Sequence, residues 1–385
     1  MNLLAEIWVP FVLVSLLSWH FLRFEVWGLP TNLWEVVVGL SFLVSLLVLK
    51  PRVLLLPVLF WFLLFLVALG LGGGFFLASD KIVAWGIIKG WFVVPLVAGW
   101  LVYRASLKGT GPVIFGFSVT LLFLSILALI QYLSGDFITL DGRASAIFSS
   151  ANQLAMVLVP SWLLVAGYWW LLRGARLSPA EKIFLALGLL LGLGAIILTF
   201  SYGAFLALMA GLMGLVFLKW QSRKAGAVAV ILGTLGVGLL YQKISLLALA
   251  SSSSVLARLQ IWRASWQMIK ENFLGGVGLG DFSTQYQETI SRLFAKPLEL
   301  LVPHAHNFFL QTILYLGPLG FVGLVGFLIM AFGRAFRGAA WLLPSLLGLV
   351  IQGLFDTIYY HQALAAIFWI VIFLSLLKWP KDASV

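Results

Sequence analysis

Cysteine is missing from all 385 residues, which removes disulfides, thiolate nucleophiles and zinc-thiolate sites together. Charge is nearly as scarce: 10% of residues are Asp, Glu, Lys or Arg, 62% are hydrophobic, and mean hydropathy is +1.10. A soluble globular domain does not have that balance, so the chain belongs in a bilayer. The alternation that a spanning β-barrel needs is absent as well. Asp and Glu pairs are scarce in the outward gaps, which argues against a metal site.

What is present is a succession of apolar runs, each long enough to cross roughly 30 Å of hydrocarbon as a helix. The runs fall near 7–22, 33–49, 53–72, 82–103, 111–133, 150–172, 183–200, 203–219, 225–241, 306–332, 338–355 and 362–377. The expected fold is an all-α polytopic membrane protein of about twelve transmembrane helices, forming one integral membrane domain over 1–385. Glu6 precedes the first run and no small-residue cleavage site follows it, so it reads as a retained helix, with the mature protein beginning near Met1. The net charge of +11 does not point to nucleic acid, because the cations sit mainly in short gaps between apolar runs. Lys50, Arg52, Arg104, Lys108, Arg173, Arg176, Lys219, Arg223, Arg334, Arg337 and Lys378 occupy every second gap. The positive-inside rule makes those gaps and both termini cytoplasmic.

The opposite gaps carry Asp80, Asp136, Asp141 and Arg143, and one connection far longer than a helix-to-helix turn, about 242–305. Within it, "VLARLQIWRASWQMIKEN" (255–272) sets Leu256, Leu259, Trp262, Trp266 and Ile269 at helical spacing with Arg258, Arg263 and Lys270 among them. Such a helix is expected to lie in the membrane interface. "GGVGLGDF" (275–282) then ends the helix; as a nucleotide motif its Gly-x-Gly is weak.

Three clusters on that outer side could carry chemistry. Arg143 precedes a helix whose first turn holds Asn152 and Gln153; it reads either as a snorkelling anchor or as a fixed donor fork for phosphate oxygens. Arg258 and Arg263 read either as contacts to anionic lipid or as a second part of an anion site. "VPHAHNFFLQTILYLGPLG" (302–320) places His304, His306 and Asn307 at the start of an apolar run, where polar groups facing the bundle tend to mark a site. An imidazole there can take a proton from a hydroxyl. On a helix the two histidines would point in different directions, so at most one would be central. Asp356, Tyr359, Tyr360 and His361 lie in another outer gap, where loop capping competes with a supporting role.

The arrangement resembles the O-antigen ligase and O-antigen polymerase superfamily of bacterial envelope glycosyltransferases. "HNFFLQTILYLGPLG" is similar to that family's His, small polar residue, nine residues and Gly-x-x-Gly. "GRASAIFSSANQLA" is similar to its Arg-containing loop, and "RLQIWRASWQMIKENFLGGVGLGDF" to its Arg-x-x-x-Trp segment ending in Gly-x-Gly-x-x-Phe. The likeness spans about 141–356. Two positions depart: Tyr202 stands where relatives usually have an arginine, and "GPLGFVG" replaces the ligase ending Gly-x-x-Gly-Thr-Gly. The resemblance implies inverting, metal-independent glycan transfer without a cofactor, from an undecaprenyl-pyrophosphate donor to an acceptor hydroxyl on the periplasmic side of the inner membrane. Partners would be membrane lipids, the lipid-linked donor, and a glycan, lipid A-core or protein acceptor. It assigns catalysis to His306, donor pyrophosphate binding to Arg143, Arg258 and Arg263, and support to His304, Asn307, Asn152 and Asp356. Ligase, polymerase and protein O-oligosaccharyltransferase stay open within the family. A polytopic transporter of the bicarbonate-carrier type is the rival from outside it.

Overall fold

The computed structural model describes residues 2–26, 29–48, 56–107, 109–139, 141–173, 177–220 and 253–377. These residues are overwhelmingly helical, as an all-α membrane protein requires. In chain order the main helices are α1 (Asn2–Ser15), α2 (Leu33–Val48), α3 (Val58–Leu77), α4 (Lys81–Ser106), α5 (Gly111–Ser134), α6 (Ala151–Gly167), α7 (Pro179–Leu198) and α8 (Tyr202–Trp220). They are followed by α9 (Ser253–Glu271), α10 (Phe282–Leu293), α11 (Phe308–Arg337), α12 (Leu343–Gly353) and α13 (Gln362–Ser375). Among the described residues seven helices are long and apolar enough to cross a membrane, α3 to α8 and α11. Runs expected at 33–49, 338–355 and 362–377 fall on shorter apolar helices, and the expected span 225–241 lies outside the described residues.

Helix boundaries follow local chemistry more closely than hydropathy. The run expected at 53–72 begins only at Val58, because Pro57 in an extended conformation (φ −55°, ψ 145°) sets the start. Ser178 and Glu181 form a reciprocal capping box with Pro179 at the first helical position, which starts α7 four residues before the expected 183. The expected span 7–22 is corrected most: α1 stops at Ser15, a 3-10 turn covers Leu17–Phe21, and a two-stranded antiparallel hairpin follows. Its strands β1 (Arg23–Val26) and β2 (Leu29–Asn32) pair Arg23 with Asn32 and Phe24 with Thr31. The period-two pattern Arg-Phe-Glu-Val is a strand signal too short to stand out beside long apolar runs.

Glycines let the helices meet backbone to backbone, the usual device where lipid removes the hydrophobic drive. A Cβ on Gly70 of α3 would stand 2.5 Å from the Leu316 carbonyl and 2.7 Å from Gly320 Cα of α11. The inside of the bundle is α13, whose residues are buried all around the helix, next to α4, where Gly99 accommodates Trp369. At 14 residues α13 is about 21 Å long, too short to cross alone but sufficient for a helix surrounded by others.

Helix α11 is broken at Gly317, which has φ 61° and ψ −172°. Pro318 supplies no N–H for the Leu314 carbonyl one turn back. That carbonyl instead accepts from the Val277 N–H at 2.7 Å, while Leu279 N–H donates to Gly74 O at 2.9 Å. The "GGVGLG" turn is therefore a clasp between the end of α3 and the break in α11. Gly276, Gly278 and Gly280 all take positive φ there, and the Asp281 carboxylate accepts from the Ser79 N–H and hydroxyl. This clasp fixes the outer helices α9 and α10 to the bundle.

Candidate functional site

The segment 302–307 leads into α11 without being helical. Asn307 is the N-cap: its side-chain oxygen accepts from Phe309 N–H (2.9 Å) and Leu310 N–H (3.0 Å), and its amide donates to Leu354 O at 2.9 Å. His306 sits in the left-handed region at φ 45°, a conformation that costs a side-chain-bearing residue on the order of 1–3 kcal/mol. That turn overrides the expectation that the two histidines diverge. Their rings meet edge to face with centroids 4.3 Å apart. Buried Gln311 accepts from Ala305 N–H at 2.7 Å, and Trp262 of α9 donates to His306 O at 3.2 Å.

Both rings reach Asp356, which lies in the loop between α12 and α13. His306 Nδ1 is 3.3 Å and His304 Nε2 3.9 Å from Asp356 Oδ1. The 3.3 Å contact has ion-pair distance, but neither histidine's Nδ1 completes a hydrogen bond. Burial works to raise the Asp356 carboxyl, yet contact with His306, the charge of His304 and the Thr357 N–H together hold it well below the usual carboxylate range. Burial lowers His304 and outweighs the attraction of Asp356. Gln311 Nε2 and both polar atoms of the Gln352 amide are also buried without hydrogen-bond partners. A buried polar group in this state calls for an explanation, and a catalytic role is one of those open to it.

Two arginine-bearing segments converge on this loop. Arg258 of α9 is half-buried and close enough for its charge to act on His304. Arg143 lies in the loop before α6, where its Nε donates to Thr199 O (2.7 Å), Nη2 to Asn152 (2.8 Å) and Nη1 to Asp141 (3.3 Å). Among the described residues three of the five guanidinium N–H groups are engaged. The same loop reaches the Asp356 loop through Phe148, whose ring lies 5.6 Å from that of His361. At the start of α8, a Cβ on Gly203 would stand 3.3 Å from Phe355 Cβ, so Tyr202 stands beside this rim. Arg263 is not brought into the group: it is exposed on α9, with its guanidinium 5.6 Å from the Phe294 ring.

Sequence reading placed Asn152, Asn307 and Asp356 in support, and each touches a principal residue or its loop. It missed Gln311, whose only signal was a polar side chain one turn after Asn307. Tyr360, grouped with Asp356 in that reading, donates to Thr312 at 3.0 Å and helps pin the Asp356 loop to α11. His304, His306 and Asp356 each offer one ligand atom within 4.8 Å of the others. Around a tetrahedral zinc, donors about 2.1 Å from the metal stand roughly 3.4 Å apart. His304 Nε2, 3.9 Å from the carboxylate, would have to move closer to hold one, and the 3.3 Å His306 contact would have to tighten to share a proton.

Residues 187–328 match the family model described as O-antigen ligase. The matched stretch runs from α7 into α11 past its break, and holds Arg258, Arg263, His304, His306 and Asn307. Arg143, Asn152 and Asp356 lie outside it. No curated protein matches the chain.

Proposed function

We propose, from the premise that the chain is a member of the O-antigen ligase superfamily, that it transfers a glycan from an undecaprenyl-pyrophosphate donor to an acceptor hydroxyl. The observation that carries this reading is the His306–Asp356 contact beside two arginine-bearing segments. With its proton on Nδ1 facing the carboxylate, His306 keeps the lone pair on Nε2 for the acceptor hydroxyl. The carboxylate fixes that tautomer and stabilises the imidazolium that forms, much as a buried Asp does for a catalytic His. The acceptor oxygen bonds to the anomeric carbon as the bond to the pyrophosphate oxygen breaks. A single displacement of this kind inverts the anomeric centre. The leaving pyrophosphate keeps the bonding electrons, and Arg258 with Arg143 meets its growing charge. No step needs a metal or cofactor.

The cation-rich gaps support a multi-pass protein of the inner membrane with about twelve spans, cytoplasmic termini and the 242–305 connection in the periplasm. A cysteine placed at Ser283 that reacts with an impermeant reagent only from the cytoplasmic side would invert that topology. The activity is tested with purified protein in detergent, a lipid-pyrophosphate glycan and candidate acceptors. Transfer is expected without a sealed compartment and in the presence of chelator. Solute accumulation in proteoliposomes without any transfer would replace this reading with a transporter.

A further inference from the structure

A second polar region lies at the same end of α13, and the mechanism above does not use it. It is a cavity of about 750 Å³ bounded by the β1–β2 hairpin, the starts of α2 and α4, and His361 and Gln362. That volume falls within the roughly 300–1,000 Å³ of small-molecule sites. Glu35 pairs with Lys89 at 2.9 Å and accepts from Gln362 Nε2 at 2.9 Å, while Asn32 donates to Gln362 Oε1 at 2.6 Å. Lys89 also donates to Pro30 O. Lys89 and Trp91 lie on a π-helical segment, Ile88–Val93, a local winding often found at functional sites.

Two features say what such a cavity would hold. Its charged lining consists of Arg23 and Lys89 against Glu25 and Glu35, two cations and two carboxylates. That balance offers little to a pyrophosphate. It does suit a neutral molecule rich in hydroxyls, with carboxylate acceptors, amide and ammonium donors, and an indole ring for the apolar face of a sugar. The second feature is Gly86, inside α4, where an added Cβ would meet nothing within 4 Å. Glycine in a helix interior costs about 1 kcal/mol relative to alanine, and here no close helix contact accounts for it. Its effect is to leave the cavity wall bare.

We propose that this cavity is a saccharide-binding subsite that holds sugar units of a transfer substrate. The identification of sugar as the ligand rests on the transferase reading; the cavity and its lining do not. One loop serves both regions, since Asp356 reaches the histidines while His361, five residues on, lines the cavity. Trp91 packs edge to face on Tyr360 of the same loop, with centroids 5.9 Å apart.

The test is saturation-transfer NMR on the full chain in detergent with maltotetraose and methyl glycosides of glucose, galactose and N-acetylglucosamine. At least one should give ring-proton signals. Gly86→Trp, which fills the cavity, should abolish them; Gly86→Ala, which does not, should keep them. Asn32→Ala should weaken binding about tenfold, and His306→Ala should leave it unchanged. Failure of every probe, signals that survive Gly86→Trp, or signals from phosphatidylglycerol headgroups in place of the sugars would each overturn the proposal. In the transfer assay, a Gly86→Trp defect confined to acceptor KM assigns the subsite to acceptor sugars, and one confined to donor KM assigns it to the donor glycan. Sugar binding by a protein that never transfers would uphold the subsite while removing the enzyme reading.

Discussion

The two polar regions at the N-terminal end of α13 are built in opposite ways. Around Asp356 the histidines and neighbouring amides are crowded, buried and incompletely hydrogen-bonded among the described residues, and His306 holds the left-handed backbone that most residues other than glycine avoid. In the cavity behind the hairpin, Glu35, Lys89, Gln362 and Asn32 satisfy one another in a closed chain. The imidazoles beside Asp356 can take up and release a proton near neutral pH, whereas the cavity offers mainly fixed donors and acceptors. The difference matches the two proposed roles, bond making at the first and holding a molecule still at the second.

The sharpest way to break that contrast is His306→Ala. It should reduce turnover on the order of 10²–10⁴-fold while donor binding persists, and His304→Ala should cost far less. Full transfer by a well-folded His306→Ala protein would show that the crowded region is structural. A smaller effect should come from the arginines. Arg143→Ala or Arg258→Ala should weaken donor binding and transfer together by roughly 10- to 100-fold, with poor rescue by Lys, because a point charge cannot reproduce a two-pronged donor. Arg263→Ala should change either by no more than a few-fold, given its place over Phe294. Equal losses at Arg258 and Arg263 in transfer assays would instead favour a diffuse attraction to anionic lipid.

The smallest effect concerns acid stability. The folded Asp356 carboxyl releases its proton more readily than the unfolded one, whose pKa is about 3.9. Its contribution to stability is therefore complete above that value and disappears as pH falls through it towards the folded value. Thermal melting of Asp356→Asn in detergent should lack the part of the wild-type decline that sets in below about pH 4. Parallel declines in the two proteins would mean that the histidines do not hold the carboxylate.

Much of this was legible before any coordinates. Low charge and long apolar runs led to an all-helical membrane protein, while His306, Arg143 and Arg258 were singled out by the resemblance, the residues alone leaving bland readings open. The partnership of Asp356 with the histidines was not legible, because it joins loops about 50 residues apart and hydropathy carries no information on which loops meet. The hairpin was hidden by strands of only four residues. The Gly-x-Gly turn was legible as a helix end and as part of the family resemblance, but not as a clasp, since nothing in the string ties Val277 to a carbonyl that Pro318 leaves free. Helix starts were misplaced wherever a proline or a capping box, not hydropathy, set the first turn.

The break at Gly317 makes the first ten residues of α11 a lever. From Phe308 to the pivot is about 15 Å, and His306 rides just beyond the far end. A swing of about 5° at the pivot would carry the ring through an arc of roughly 1.3 Å, when displacements near 1 Å can cost about a hundredfold in rate. The Val277 amide gripping Leu314 thus steadies the arm near its pivot, while Trp262 and Asn307 hold the histidine end.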